Sequence, residues 1–472
     1  MEKLNYKKLG FKAGLEIHQQ LDGKKLFCKC PVKTNKKETP DLTIKRKIRA
    51  VAGESGKKDI AALYEEKKDK TFIYEFYQDC NCLVEIDEEP PNNINQDSLE
   101  AALQLSLLLK AKIEPKIKIM RKIVIDGSNV SGFQRTMLIS TNGKIKTSKG
   151  TVKIETILLE EEAAKKIASN GKDITYRLDR LGVPLIEIAT SPDIKDPEHA
   201  KETAETIGMI LRSIDLTKRG LGTIRQDINL SIKNSPRIEI KGFQDLRSIP
   251  KITEYETKRL INDPPKKGEV RKAEKDLTTT FLRPLPGKAR MYPETDHKEI
   301  EITGDLLSKI TPPELITERT LNLERKYNLS PQLAAEIVKK KVGFIRYTKE
   351  FPRLSPKIIA YILVEAPKEL RSRFHVTKKL KASDFEFIIE NLNSNKIPRD
   401  AILDVFLKLS KGLHPNLTQY SSLSDKEIEK TIETIIAENQ GAPFNALMGI
   451  AMSKLKNRVE GKKIAETIKK FT

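Results

Sequence analysis

The sequence predicts an α+β chain, strand-rich over residues 1–300 and helical beyond. Three observations predict it. Short β-type segments separated by Gly, Asn, Asp or Pro crowd the first part. Helical stripes interrupt them without a repeated βαβ winding, which argues against a doubly wound sheet. From residue 312 onward the apolar spacing changes to that of amphipathic helices. A chain of 472 residues is also too long for one ordinary core.

Taken in order, FKAGLEIHQQL, FIYEFY, NCLVEI, IKIMRKIVI, TMLIS, KIKTS, TVKIETILLEE, VPLIEIAT, TIRQDINLSI and RIEIKGF all read as strands. Helices are predicted over 98–112, opened by Ser98, and over 196–214, opened by Asp196 with Pro197 at the first helical position. The charged, Pro-rich stretch 262–277 reads as a surface excursion. Ser330, Ser355 and Ser383 stand where N-caps belong in the helical part, and Pro331 and Pro356 follow two of them. Three short helices are predicted from Leu423 to the end.

Lys and Arg number 87 against 66 Asp and Glu, a formal charge of +21. Such an excess favours a polyanionic partner such as nucleic acid; a lysine-rich proteome accounts for it equally simply. The last 22 residues hold seven basic and two acidic side chains, either a solvated helix face or an RNA contact. No apolar run is long enough for a membrane span, and the first residues lack the apolar stretch of a signal peptide, so a cytoplasmic location is expected. The four cysteines form two C-x-C pairs, Cys28 with Cys30 and Cys80 with Cys82. On strands each pair would present two thiolates to one side, and four thiolates suit Zn²⁺; inert cysteines are the alternative.

Several chemistries are excluded. There is no G-x-x-x-x-G-K-[ST] loop, and GLGTIR has Arg225 where a dinucleotide fingerprint needs glycine. G-x-S-x-G, HExxH and the kinase motifs are absent too. What remains is a set of polar residues distributed over strands. Glu16 and His18 share a strand face, Glu160, Glu161 and Glu162 close an apolar run, and Glu187 stands inside the apolar PLIEIA. Asp179 and Arg180 precede it; Arg225, Asp227 and Asn229 alternate on one strand, and Glu239 and Lys241 repeat the device. Such a face is either solvated or a charged cradle for a hard divalent cation. Arg283, Arg290, Tyr292, Glu294 and Asp296 would add guanidiniums at its rim.

Seven segments in order, GLEIHQQLDGKKLFCKCP, VIDGSNVSGFQRT, ILLEEEAAKK, LDRLGVPLIEIATSPDI, TIRQDINLSI, IEIKGFQDL and FLRPLPGKARMYPETD, resemble the glutamyl-tRNA(Gln) amidotransferase B/E family. VIDGSNVSGFQRT and YPETD are more similar to the archaeal E-type subunit than to the bacterial B-type subunit. The resemblance implies a cradle catalytic domain over 1–300, a helical domain over 301–415 and a tRNA-binding tail over 416–472. It implies ATP-dependent phosphorylation of the γ-carboxylate of Glu-tRNA(Gln) and amidation by ammonia. The ammonia would come from an asparaginase-like D-type subunit in a hetero-oligomer. It further implies a Mg²⁺ site at Glu16, His18, Glu161 and Glu187, Arg225 acting with them, and Arg180, Arg283 and Arg290 on the nucleotide. The alternatives are a non-catalytic tRNA-binding or assembly subunit, or a bacterial B-type subunit that also acts on Asp-tRNA(Asn). One departure stands out: the archaeal E-type subunit carries an aspartyl-tRNA-synthetase-like insertion before the RPLPGKARMYPETD motif, and here GEVRKAEKDLTTTFLRP runs straight through.

Overall fold

Leu15 and Ile17 alternate with Glu16 and His18, and this alternation makes β1 (Lys12–Gln20), a central strand with one apolar and one polar face. The computed structural model describes residues 4–471 except 35–36, 54–55, 286–289, 379, 421–422, 456–457 and 460. The Pro-Gly-Lys-Ala part of FLRPLPGKARMYPETD lies outside the described residues. The chain divides into two compact units, Met1–Leu315 and Ile316–Thr472.

In the first unit β1 belongs to an 11-stranded sheet. The other strands on its main path are β2 (Ile119–Ile123), β3 (Phe133–Thr147), β4 (Gly150–Glu161), β5 (Pro184–Thr190), β6 (Ile224–Ser231), β7 (Ile238–Phe243), β8 (Glu269–Ala273), β9 (Thr279–Pro284) and β10 (Met291–Pro293). Their spatial order is β9-β8-β7-β6-β1-β5-β4-β3-β2-β10, and every neighbouring pair is antiparallel except β7 with β8. The edge strands β9 and β10 are close in sequence, which constrains the sheet's shape. Laid flat, ten strands would set the edges about 43 Å apart. The chain from Pro284 to Met291 spans at most about 24 Å. The sheet therefore curls.

Its apolar face, with Leu15, Ile17, Ile157, Leu159, Ile186, Ile188, Ile228 and Leu230, packs on α1 (Gln96–Leu108), α2 (Pro197–Ser213) and α3 (Ile249–Asn262) in one core. Burial of that face fixes the register, because a one-residue slip would turn every charged side chain into the core. A smaller four-stranded sheet, with Thr71–Phe76 and Asp173–Arg177 parallel at its centre, has its own core around Tyr74 and Tyr176.

The α+β fold matches the sequence expectation, with local corrections. The first long helix starts at Gln96 and is capped by Asn95, whose side chain accepts from the Ser98 amide. The 262–277 stretch is not wholly a surface excursion, since β8 adds to the sheet through it. NCLVEI forms turns and not a strand. In the second unit Ser330 and Ser355 cap their helices as expected. Ser383 does not, because Lys381 takes that position and Asp384 accepts from its amide. The second unit holds two cores, one around Ile359, Val364 and Phe406, the other binding three terminal helices through Ile432, Leu447 and Ile464. Among the described residues no helix is long and apolar enough to cross a membrane.

Candidate functional site

Strand register gathers the charged residues onto the sheet's other face. In β1, His18 lies opposite Glu187 of β5 on one side and Arg225 of β6 on the other. Glu16 lies opposite Asp227. Glu160 of β4 pairs with Leu185 and so shares the face of Glu187.

Two ligand-like clusters result. In the first, single ligand atoms of His18, Glu160 and Glu187 lie within 4.8 Å of one another. His18 Nε2 is 3.1 Å from Glu187 Oε2. The Lys122 ammonium of β2 donates to Glu160 at 2.7 Å and stands 3.8 Å from Glu187. Burial alone would raise the Glu187 carboxyl, but Lys122 and the His18 hydrogen bond hold it well below the usual range. Against its own burial, His18 is raised by Glu187 and Glu160. In the second cluster Glu16, Asp227 and Glu239 converge, and Lys241 donates to Asp227 at 2.6 Å and pairs with Glu239 at 2.5 Å. Burial and the nearby Glu187 push the Glu16 carboxyl up to about 7, despite Lys241. Glu16 and His18 thus share a face, as their spacing predicts, but belong to separate clusters.

Glu161 requires a correction. It stands on the opposite face, where its carboxylate accepts from the Arg135 amide at 3.2 Å and lies 3.4 Å from Arg135 Nη1. Glu160 takes the position expected of it. The reason is a β-bulge in β4: Ala189 pairs with Thr156 but Thr190 pairs with Ile154, which leaves Glu155 as the extra residue. Alternation counted through Lys153 and Glu155 would put Glu161 on the polar face; the bulge exchanges the two. Around Glu161, Arg135 also bonds Glu294 at 2.8 Å, and Arg121 pairs with Glu294 and with Asp296. Phe27 and Phe133 lie against the Arg135 guanidinium. The Glu294 carboxyl, which burial would raise, is drawn down to about 2 by Arg121, the Asp296 amide and Arg135.

The expected arginines fall into two pairs. Arg225 makes a two-pronged contact to Glu162, at 2.6 and 3.0 Å, and Gln20 donates to the same carboxylate at 2.9 Å. Arg180 donates to the carbonyls of Ala163 and Ala164, both at 2.8 Å, and so clamps the chain after β4. Arg290 donates to the Ile123 carbonyl at 3.2 Å. Burial and then the Arg283 charge hold Arg290 below its usual range, while Glu160 works the other way. Arg290 thus lies within electrostatic reach of both Arg283 and Glu160. Lys122 was missed from the sequence because a lysine on a strand carries no motif, whereas Lys241 stands in the alternation read with Glu239.

The cysteine expectation is corrected as well. Cys28, Cys30, Cys82 and Glu85 place one ligand atom each within 4.8 Å of one another, and Cys80 is not among them. Residues 80–82 follow a turn instead of a strand, so the i, i+2 rule does not apply there. Cys80 Sγ is directed to Asn81 at 3.9 Å. Cys28 donates to Glu85 at 2.9 Å, and Glu85 also accepts from the Cys82 amide at 2.7 Å. Hydrogen bonds from Cys28 and Cys82 draw the Cys30 thiol down to about 4, and those shared protons push the Cys28 thiol up. Fully buried Lys25 lies 3.5 Å from Glu85.

Fold and site together define a curled sheet with one charged, carboxylate-rich face, joined in sequence to a helical unit. Residues 11–308 match the GatB/GatE catalytic domain, and residues 344–471 match a GatB domain. The chain belongs to the GatB/GatE family. It is similar along its whole length to proteins named as the E subunit of glutamyl-tRNA(Gln) amidotransferase. That of Methanosarcina acetivorans is 33% identical, covering 100% of this chain and 99% of the relative. That of Methanocaldococcus jannaschii is 34% identical, covering 99% of each. That of Archaeoglobus fulgidus is 32% identical, covering 99% of this chain and 98% of the relative. The first two alignments run over 632 and 625 positions although this chain has 472 residues, so those relatives carry a long stretch that it lacks.

Proposed function

We propose that this chain is the tRNA-binding, kinase and transamidase subunit of a glutamyl-tRNA(Gln) amidotransferase. The observation that carries this reading is the convergence of His18, Glu160 and Glu187 beside Lys122 on one sheet face. Two carboxylates and an imidazole fit a divalent cation, and the oxygen-rich share suits Mg²⁺. His18, Glu160 and Glu187 would hold such a cation, which would supply charge neutralisation for phosphoryl oxygens. Arg283 and Arg290, whose like charges repel, supply a place for the remaining phosphate charge. Phosphoryl transfer depends chiefly on such positioning. The γ-carboxylate of glutamate on tRNA(Gln) attacks the γ-phosphorus of ATP and ADP leaves. Ammonia then attacks the acyl carbon, phosphate leaves, and the amide of glutaminyl-tRNA(Gln) remains. Arg225 and Arg180 act through Glu162 and the chain after β4, and so position the end of that strand.

The ammonia comes from a partner, an asparaginase-like D-type subunit, in a hetero-oligomer working in the cytoplasm. The tail, 416–472, contacts tRNA with its basic helices. The test supplies the purified chain with Glu-tRNA(Gln), Mg·ATP and ammonium, which bypasses the partner. Glutaminyl-tRNA is the expected product. Absence of both product and ATP turnover would leave only the non-catalytic alternative.

We further propose that Cys28, Cys30, Cys82 and Glu85 hold a structural Zn²⁺, with Lys25 offsetting part of the ligand charge. Metal analysis is expected to find zinc in the wild type and in Cys80→Ser, and to find it lost in Cys82→Ser. Equal zinc in both variants would sink this assignment.

A further inference from the structure

The second unit holds a cavity of about 320 Å³ that the reading above does not use. Leu363, Leu370, Val376 and Phe385 give it apolar walls, and Lys340, Arg371 and Lys378 stand around it. This volume suits a small ligand. One wall is the helix that runs from Pro356 to Phe374, and its middle turn, Tyr361–Glu365, is a π-helix. Such turns widen a helix and recur at functional sites. Leu363 lies in that turn.

Pro367, Leu370 and Arg371 also line the cavity, and Phe374 follows at the i+7 position of the same helix face. Phe374 is 43% exposed between Arg373 and His375. The stretch 368–381 carries six Lys or Arg against one acidic residue, Glu369. Glu336 pairs with both Lys340 and Lys368, and Glu369 pairs with Arg373. Among the described residues no such carboxylate partner meets Arg371 or Lys378; Arg371 donates only to the Pro367 carbonyl.

An apolar cavity, an exposed ring on its helix face and two unneutralised cations are complementary to one nucleobase and its phosphates. The basic stretch continues past the reach of a single phosphate, which favours a polymer over a free nucleotide. We propose that this cavity takes one unstacked nucleotide of the bound tRNA, its base against Phe374 and its phosphates on Arg371 and Lys378. The proposal rests on the reading that the chain binds tRNA.

The test measures the Kd of the full chain for a tRNA(Gln) transcript over a range of salt. Phe374→Ala is expected to weaken binding about tenfold. Arg371→Ala with Lys378→Ala is expected to lower the slope of log K against log salt by about two. Unchanged melting temperatures keep both variants interpretable, since the three side chains are solvent-facing. Wild-type affinity and slope in both variants would overturn the proposal and leave tRNA binding intact. A wild-type chain that does not bind the transcript would remove the underlying reading instead. Displacement of the transcript by millimolar AMP would mark a free-nucleotide site and also overturn it.

Discussion

Glu160→Gln is expected to lower ammonium-dependent glutaminyl-tRNA formation by about 10³-fold, the scale of losing one preorganised electrostatic contact to a transferring group. The same change at Glu161 is expected to stay within about tenfold of the wild type. The two residues are adjacent and chemically identical, so the contrast isolates position. Glu160 accepts from Lys122 at 2.7 Å and from Thr136 Oγ1 at 3.0 Å, and its free geometry converges with His18 and Glu187. Glutamine keeps the shape and one acceptor but drops the charge. Glu161 faces Arg135 on the far side of the strand. Single-turnover assays at saturating tRNA separate the chemical step from binding. Equal losses at both positions would show that the bulge in β4 does not decide the chemistry.

Arg135→Met is expected to cost about 3–5 kcal/mol of stability, because it leaves buried Glu161 without its guanidinium partner and Glu294 with only Arg121. Arg135 is 6% exposed, and it holds both Glu161 and Glu294. Methionine fills much of the volume without supplying charge. The thermal midpoint of the first unit should fall by roughly 6–15 °C. Glu294 adds a pH signature. Its carboxyl is drawn from 4.5 down to about 2, so its contribution is complete above the unfolded value and is lost as the pH falls through that window. In the variant that part of the acid sensitivity should shrink. A midpoint within about 2 °C of the wild type, roughly the effect of a surface substitution, would contradict this account of the network.

Much of the fold was legible because one physical rule produced it. Alternation at Leu15 to His18, at Ile186 to Ile188 and at Asp227 to Leu230 marked strands with one charged face, and register then aligned those faces. Ser330 and Ser355 announced helix starts by the hydrogen bond each hydroxyl accepts. What stayed hidden depended on breaks in the rule. The bulge at Glu155 reversed the facing of Glu160 and Glu161, and no residue there advertises a bulge. Turns around Cys80 removed it from the thiol group and brought Glu85 in from outside the C-x-C pairs. β8 was hidden in a charged stretch, because its Glu269 and Arg271 pair with each other and with Arg259 and Glu256 of α3, and that pairing is a long-range fact. Lys122 needed the pairing of β2 with β3, a long-range fact no local pattern carries.

On the proposed reading, the charged face holds a divalent cation at His18, Glu160 and Glu187. Titrating Mn²⁺, a paramagnetic stand-in for Mg²⁺, into the full chain and following it by electron paramagnetic resonance reads occupancy of that site directly. One ion is expected to bind the wild type and Glu161→Gln alike, and to bind Glu160→Gln at least about tenfold more weakly. Loss of the ion in Glu161→Gln with retention in Glu160→Gln would contradict it.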